Sequence, residues 1–333
     1  MAAGGGPPGR LSELRAGAQL LHRPERLTAE ELVRRLGAVQ AQDVRAYPLA
    51  LRARTQGLTA SAIADADLVR TWLMRGTLHL VPAEDAAWMR DLLAPRRAAG
   101  TRRRLGQLGF DERSADRAVG LLERALADGP LTRAEVADRL QHSGLPSTGQ
   151  APVHVLALAA ARGVLVQGRG DTFVLAADRL PAAPAPAQPE AELARRHLAS
   201  RAPARPEDFA AWSGLPLGAA RRAWAELDLV ELDGGWALRG HVPDPVPRDL
   251  VRLLPAFDEL LLGWKGREHA VAPEHEKAVF PGGGMLRATV TVGGRVAGTW
   301  TKEGAELFAS VPQDALEAEL RRVRSPADPE GSS

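Results

Sequence analysis

The stretch "LTRAEVADRLQHSGLPSTGQAPVHVLALAAARGVLVQGRGDTFVLA", residues 131–176, carries the reading of the fold. Thr132 and Glu135 stand at capping-box spacing ahead of apolar residues at helical intervals, which predicts a helix starting at that point. The breaker-rich "HSGLPSTG" (142–149) separates it from a second helix in "QAPVHVLALAAARG" (150–163), closed by Gly163. "VLVQGRGDTFVLA" (164–176) then gives two short β-rich runs about a Gly-rich turn, the signal of a hairpin. The order is helix, turn, helix, hairpin.

That order returns beyond "PAAPAPAQPEA" (181–191), whose repeated prolines deny both helix and central strand and mark a linker. "AELARRHLAS" (191–200), "RPEDFAAWSGL" (205–215) and "PLGAARRAWAEL" (216–227) read as three helices. "LVELDGGWALRG" (229–240) supplies strand, Asp-Gly-Gly turn, strand. A helical trio followed by a two-stranded wing is the winged-helix arrangement, a helix-turn-helix variant whose second motif helix commonly enters the major groove. The first hundred or so residues suggest a degenerate copy, with helices at 11–21 and 28–36 (the latter capped by Thr28 and Glu31), then "LALRAR" (49–54) and a strand in "TLHLVP" (77–82).

Residues 250–310 differ in character. "LVRLLPAFDELLLGW" (250–264) is apolar around a buried-looking acidic pair, and "MLRATVTVGGRVAGTWT" (285–301) alternates about a Val-Gly-Gly-Arg turn, a hairpin in a separate β unit. A capped, charged helix at 313–324 closes the chain, and 1–9 and 325–333 read as loose ends. The expected fold is mainly α with small β elements. It comprises a degenerate winged helix over 10–110, a second over 111–180, the linker 181–191, a third over 192–245, and a C-terminal β module with its closing helix over 246–325.

The 333 residues are 45% hydrophobic, enough for a substantial core in two to three domains, and with few aromatics Leu, Val and Ala must do most of the packing. Of 43 basic residues only Lys265, Lys277 and Lys302 are lysines. This arginine excess reflects either base composition or a need for bidentate phosphate and guanine contacts. The formal net charge of +2 leaves any nucleic-acid face to the distribution of charge. The absence of cysteine excludes disulfides, thiolate nucleophiles and cysteine-ligated zinc. Neither a signal peptide nor a membrane-spanning apolar run is found, so the expectation is a soluble, cytoplasmic protein with no membrane partner.

Candidate sites are few. In "GAVQAQDVRAYPLAL" (37–51) two long amides flank one small residue. If 38–43 is extended, Gln40 and Gln42 project to the same side and Asp43 points away; if it is helical, Gln40 and Asp43 share a face and the glutamines diverge. Spacing alone leaves both open, and an exposed or structural role is the commoner fate of such a pair. In "RGTLHLVP" (75–82) an extended strand would put Arg75, Thr77 and His79 on one donor-rich face, although a strand histidine is usually a satisfied structural group. "REHAVAPEHEK" (267–277) lacks metal-ligand spacing and is read as a surface loop, so no metal is expected. The clusters Arg102-Arg103-Arg104 and Arg221-Arg222 are solvated helix faces or phosphate contacts. No Walker loop, dinucleotide fingerprint or Gly-x-Ser-x-Gly elbow is present.

Four segments in series, "LGAVQAQD", "TWLMRGTLHLVPAEDAAWM", "RLLPAFDELLLGW" and "VGGRVAGTW", resemble the AlkZ-like family of winged-helix DNA glycosylases, and the resemblance runs from about 11 to 310. It implies tandem winged helices with a C-terminal β-barrel on a concave DNA-binding scaffold, excising alkylated purines, notably bulky or crosslinked N7-alkylguanines. Several members protect producers of alkylating natural products. The family's catalytic motif, Gln, an aliphatic residue, then Gln or Asp, falls on Gln40, Ala41 and Gln42, with Ala41 smaller than usual. The resemblance also favours the extended geometry.

Glutamine does not titrate near neutrality and cannot be a strong general base. An N7-alkylated purine is cationic and leaves as a neutral base without protonation, so the remaining tasks are holding water and favouring an oxocarbenium-like sugar. Gln40 and Gln42 are therefore the expected catalytic residues, with Arg75, Thr77, His79, Arg287 and Arg295 expected on DNA. The implied protein is a monofunctional, cofactor-free glycosylase acting as a monomer on double-stranded DNA bearing alkylated purines. No lyase step is expected, since a Schiff base needs an amine at the site and the chain has only three lysines. The competing readings are a non-catalytic DNA-binding regulator and a purely structural interaction module.

Overall fold

The computed structural model describes residues 9–23 and 26–324; of the loose ends expected at 1–9 and 325–333, all but Gly9 lie outside the described residues. In chain order, α1 (Arg10–Ala18) and α2 (Ala29–Leu36) lead to a two-residue strand, β1 (Val39–Gln40), then α3 (Ala46–Arg52) and α4 (Ala60–Asp65). The hairpin strands β2 (Leu68–Trp72) and β3 (Leu78–Pro82) follow, with the long α5 (Ala83–Gln107) and α6 (Glu112–Ala127). Next come β4 (Leu131–Thr132), α7 (Arg133–His142), α8 (Ala151–Ala161), β5 (Leu165–Gln167), β6 (Thr172–Leu175) and a short α9 (Ala176–Arg179). Beyond the prolines lie α10 (Pro189–Arg201), α11 (Pro206–Ser213), α12 (Leu217–Ala225), β7 (Leu229–Leu232) and β8 (Gly235–Leu238). The chain ends with β9 (Val251–Leu254), α13 (Glu259–Leu262), α14 (Glu276–Val279), β10 (Thr289–Val292), β11 (Arg295–Trp300), β12 (Ala305–Leu307) and α15 (Gln313–Arg324).

Local chemistry sets many of these boundaries. Both expected capping boxes form: Thr28 and Glu31 exchange side-chain-to-backbone bonds at the start of α2, and Thr132 and Glu135 do the same for α7. At the β7–β8 turn Asp233 and Gly234 adopt φ of 42° and 74°, the left-handed pair a tight hairpin demands. Ala204 bridges to Trp236 through reciprocal backbone bonds of 3.1 and 2.9 Å. The order helix, strand, helix, helix, strand, strand thus occurs three times along the chain: α2 to β3, α6 to β6, and α10 to β8 with Ala204 in the place of the first strand.

The chain divides into two compact units, one made of the residues up to Ala66 with those from Glu190 onward, the other of Asp67–Pro189. The 10–110 segment read from the sequence is shared between them. In the Asp67–Pro189 unit the strands run β3–β2–β5–β6–β4. Helices α5 to α8 bury Leu105, Leu122, Val136, Leu140, Val155 and Leu158 beneath the sheet, and Trp72 stacks on Phe173 at 6.2 Å. Burial of this many aliphatic side chains, each contributing about 1.5–3 kcal/mol, is what holds a unit with so few aromatic residues.

The other unit contains the β7–β8 pair and a four-stranded sheet ordered β12–β11–β10–β9. Alternation assigns its two faces. Val290 and Ala297 pack with Leu316 of α15, while Val296 faces Leu261, Val271, Val279 and Leu286 on the opposite side. The sheet remains open. Four strands are too few to close on themselves, so in place of the expected barrel-like module there is no closed barrel among the described residues. No described helix is long and apolar enough to cross a membrane.

Candidate active site

The two glutamines converge. The backbone is extended at Val39–Gln40 and bends at Gln42, so the segment is not helical, and Nε2 of Gln40 donates to Oε1 of Gln42 at 3.2 Å. Gln40 is buried, with 8% of its surface exposed, whereas Gln42 is exposed, so the pair stands at the boundary between interior and solvent. Asp43 turns away from it: its Oδ1 accepts the backbone N–H of Arg45 at 2.8 Å and closes the following turn. The Gln40–Gln42 bond uses one N–H and one carbonyl oxygen. Gln40 Oε1, the second lone pair of Gln42 Oε1 and the Gln42 amide nitrogen are thereby left for other partners.

The backbone beneath the pair is held by buried charge. Gln40 N–H donates to Oε1 of Glu259 at 2.8 Å. The other Glu259 oxygen accepts from Arg201 Nη2 at 2.5 Å, and neither side chain has more than 2% of its surface exposed. Arg201 Nη1 donates to the carbonyl of Leu36, the last residue of α2, at 2.8 Å, and the guanidinium lies 4.5 Å above the Trp212 ring. Between Leu36 and Gln40 the chain reverses at Gly37, whose φ of 78° suits glycine. Gly263 gives the guanidinium room: a Cβ there would come within 2.8 Å of Arg201 Cδ and Nε.

A second buried pair adjoins the first. Asp258, the N-cap of α13, takes two bonds from Arg54 at 2.7 and 2.8 Å. Arg54 Nη2 also donates to Gln19 Oε1 at 2.9 Å, and Gln19 Nε2 donates to the Ser200 carbonyl at 2.6 Å. The acidic pair that looked buried in the sequence is buried, and each acid has its own arginine. No spacing rule pointed to Arg54 or Arg201; both are single arginines among forty, and only the fold brings them to 258 and 259. Below Arg201, His197 packs among Phe209 and Trp212 at 5.5 and 5.2 Å. Burial, reinforced by Arg201, holds its imidazole well below the usual histidine range and therefore neutral.

Arg75, Thr77 and His79 do not share one strand face. Arg75 is not on a strand with Thr77 and His79: Met74–Gly76 form a single 3-10 turn in which Arg75 and Gly76 take φ of 53° and 78°. This turn breaks the expected alternation and leaves Arg75 exposed at the hairpin tip. Thr77 Oγ1 donates to the Met74 carbonyl at 3.2 Å, and His79, 1% exposed, has Nδ1 2.9 Å from the Thr77 carbonyl. Arg287 and Arg295 are both exposed. The first precedes β10 and donates to the Ala278 carbonyl at 3.2 Å; the second opens β11 at the hairpin turn. Ala288 and the four residues of β10, roughly 17 Å of near-extended chain, separate Arg287 from that turn. His269 departs from the surface-loop reading of 267–277. It is buried against Trp264 at a ring distance of 4.7 Å, with its ionisation pushed well down by burial and then by Arg15.

Comparisons with known proteins agree on one relationship. The family model for DNA glycosylase AlkZ-like proteins matches residues 33–324. An interstrand DNA cross-link repair glycosylase of Streptomyces sahachiroi is 31% identical, the match covering 89% of this chain and 90% of the relative. The solved structure of the Streptomyces sahachiroi DNA glycosylase AlkZ superposes with a TM-score of 0.81 at 27% identity over 96% of both chains.

Proposed function

Because the chain belongs to the AlkZ-like DNA glycosylase family and is a DNA glycosylase, we propose that it hydrolyses the N-glycosidic bond of cationic N7-alkylated purines in DNA, with Gln40 and Gln42 as its catalytic residues. The observation that carries this reading is the 3.2 Å bond that turns the two amides toward each other at the edge of the protein interior. Bulky adducts and interstrand crosslinks are the proposed substrates, by extension from the relative named for cross-link repair.

The chemistry suits neutral groups. In the N7-alkylated nucleotide the positive charge already weakens the bond between C1′ and N9. As that bond breaks, its electron pair goes to the purine, which leaves neutral, and the sugar acquires oxocarbenium character. A water whose O–H groups point to the Gln40 and Gln42 carbonyl oxygens directs its lone pair at C1′ and surrenders a proton to solvent after attack. The amides supply orientation and aligned dipoles; by analogy with the removal of one oxyanion-hole donor, loss of one such dipole costs about 3 kcal/mol of transition-state stabilisation. Normal purines, whose neutral bases leave as anions, are poor substrates for such a site.

The thrice-repeated order of helices and strands supports winged-helix modules as the DNA-docking parts, with exposed Arg75, Arg287 and Arg295 as phosphate contacts. A panel of duplexes tests the substrate assignment: one with N7-methylguanine, one with a bulky N7-alkylguanine, one crosslinked through N7, and one undamaged. Release of free base from one or more of the alkylated duplexes and none from the undamaged one is expected. Binding of every duplex without base release would replace the proposal with a non-catalytic DNA-binding role.

A further inference from the structure

We propose that Arg201 and Glu259 are positioning residues that set the rate of base excision by fixing the backbone of Gln40, an inference that rests on the catalytic reading of the glutamines. Two bonds on opposite sides of the Gly37 reversal carry it. Arg201 grips the last carbonyl of α2, that of Leu36, at 2.8 Å, and Glu259 grips the N–H of Gln40 at 2.8 Å. A 2.5 Å ion pair joins the two grips into one clamp. The chain from Leu36 to Gln40 is thus held at both ends by a single buried pair.

The chemistry of the clamp fits fine positioning better than stability. A buried ion pair contributes little net stability compared with an apolar pair of the same volume, because desolvation offsets the attraction. A carboxylate accepting a backbone N–H, however, makes a short, directional, charge-assisted bond that an apolar pair cannot reproduce. Arg201 is itself constrained from every side, by Ser200 Oγ at 2.6 Å, by the Trp212 ring, and by Gly263, which has no space for a side chain. The clamp therefore has little slack. A glutamine that works by orientation alone is sensitive to small displacements of its backbone, whereas a group acting by its charge is less so.

The test uses Glu259→Gln and Arg201→Lys in the full chain. For each, single-turnover base release, duplex affinity and the amide resonance of Gln40 are measured. The expected result is a fall in the excision rate of about tenfold to a hundredfold, the scale of a misplacement near 1 Å. Affinity for the duplex stays within about twofold, since no DNA contact is removed, and the Gln40 amide resonance shifts in both variants: upfield in Glu259→Gln, where its bond is no longer charge-assisted, and by displacement of the Glu259 carboxylate in Arg201→Lys. If Glu259→Gln does not fold, Arg201→Lys, which keeps the charge and loses the fork, carries the test alone. Rates within about twofold of wild type despite a shifted Gln40 amide would overturn the inference, as would rate and affinity falling together. A wild type matched in rate by Gln40→Ala would instead overturn the catalytic reading beneath it.

Discussion

The backbone N–H of Gln40 and the carboxylate of Glu259, 219 residues apart in sequence, lie 2.8 Å apart in the interior. The amide of Gln40 then reaches back to Gln42. A side chain that carries no charge at any physiological pH is in this way anchored by one that does.

The neutrality of the pair has a kinetic signature. Amides do not titrate, so the enzyme contributes no ionisation to catalysis. The ratio of the enzymatic to the spontaneous rate of release from one N7-methylguanine duplex is expected to stay constant from about pH 6.5 to 8.5, where an enzymatic acid or base of histidine type would show itself. A bell-shaped ratio in a single-turnover series would assign the chemistry to a titrating group.

The Arg54–Asp258 pair has almost no exposed surface. Asp258→Ala leaves a buried guanidinium without its two carboxylate bonds, and a loss of about 3–5 kcal/mol is expected in urea unfolding. The double variant Arg54→Met, Asp258→Leu should recover much of that loss, since it removes both charges. Equal instability of single and double variants would show that the pair is a net stabiliser.

His197 and His269 make the fold sensitive to acid. Both are held well below the usual histidine value of about 6.5, first by burial and then by Arg201 for His197 and Arg15 for His269. The unfolded chain takes up these protons as pH falls through 6.5 and the folded chain does not, so stability is full above that value and declines below it. Stability at pH 5.5 is therefore expected to fall below that at pH 7.5, with both histidines contributing in the same direction. His197→Phe, which keeps an aromatic among Phe209 and Trp212, should remove its share of the slope in denaturant titrations at pH 7.5 and 5.5; an unchanged slope would mean that His197 protonates in the folded state.

Arg287 and Arg295 stand at opposite ends of one hairpin and are solvent-exposed. If each meets a phosphate, Arg287→Ala and Arg295→Ala lower the slope of log affinity against log salt by about one apiece, equally on damaged and undamaged duplex. Unchanged slopes would remove these residues from the interface.

Elements with local signatures were legible in the sequence: the capping boxes at Thr28 and Thr132, the Asp-Gly and Gly-Gly hairpin turns, and the closing helix, whose limits agree with α15. Elements set by tertiary partners were not. Two-residue β1 and β4 are too short to show a period. α5 runs through Pro95, a residue that locally argues for a break. The glutamine pair could be pointed to by resemblance but its geometry could not be fixed, because extended and helical readings of 38–43 differ only in long-range support. That support is Glu259 and Arg201. Of these, Glu259 stood out as an acid in an apolar run, and Arg201 did not stand out at all. The Arg75 turn was hidden for the opposite reason: alternation across 75–79 looked continuous, and a left-handed residue other than glycine interrupts it.

The most direct test of the glutamine mechanism is the single-turnover rate of base release from an N7-alkylguanine duplex by wild type, Gln40→Ala and Gln42→Ala, with duplex affinity measured alongside. The account predicts a fall of about a hundredfold or more for each variant, the loss of one positioned dipole, with affinity unchanged. Excision at the wild-type rate by both variants would contradict it.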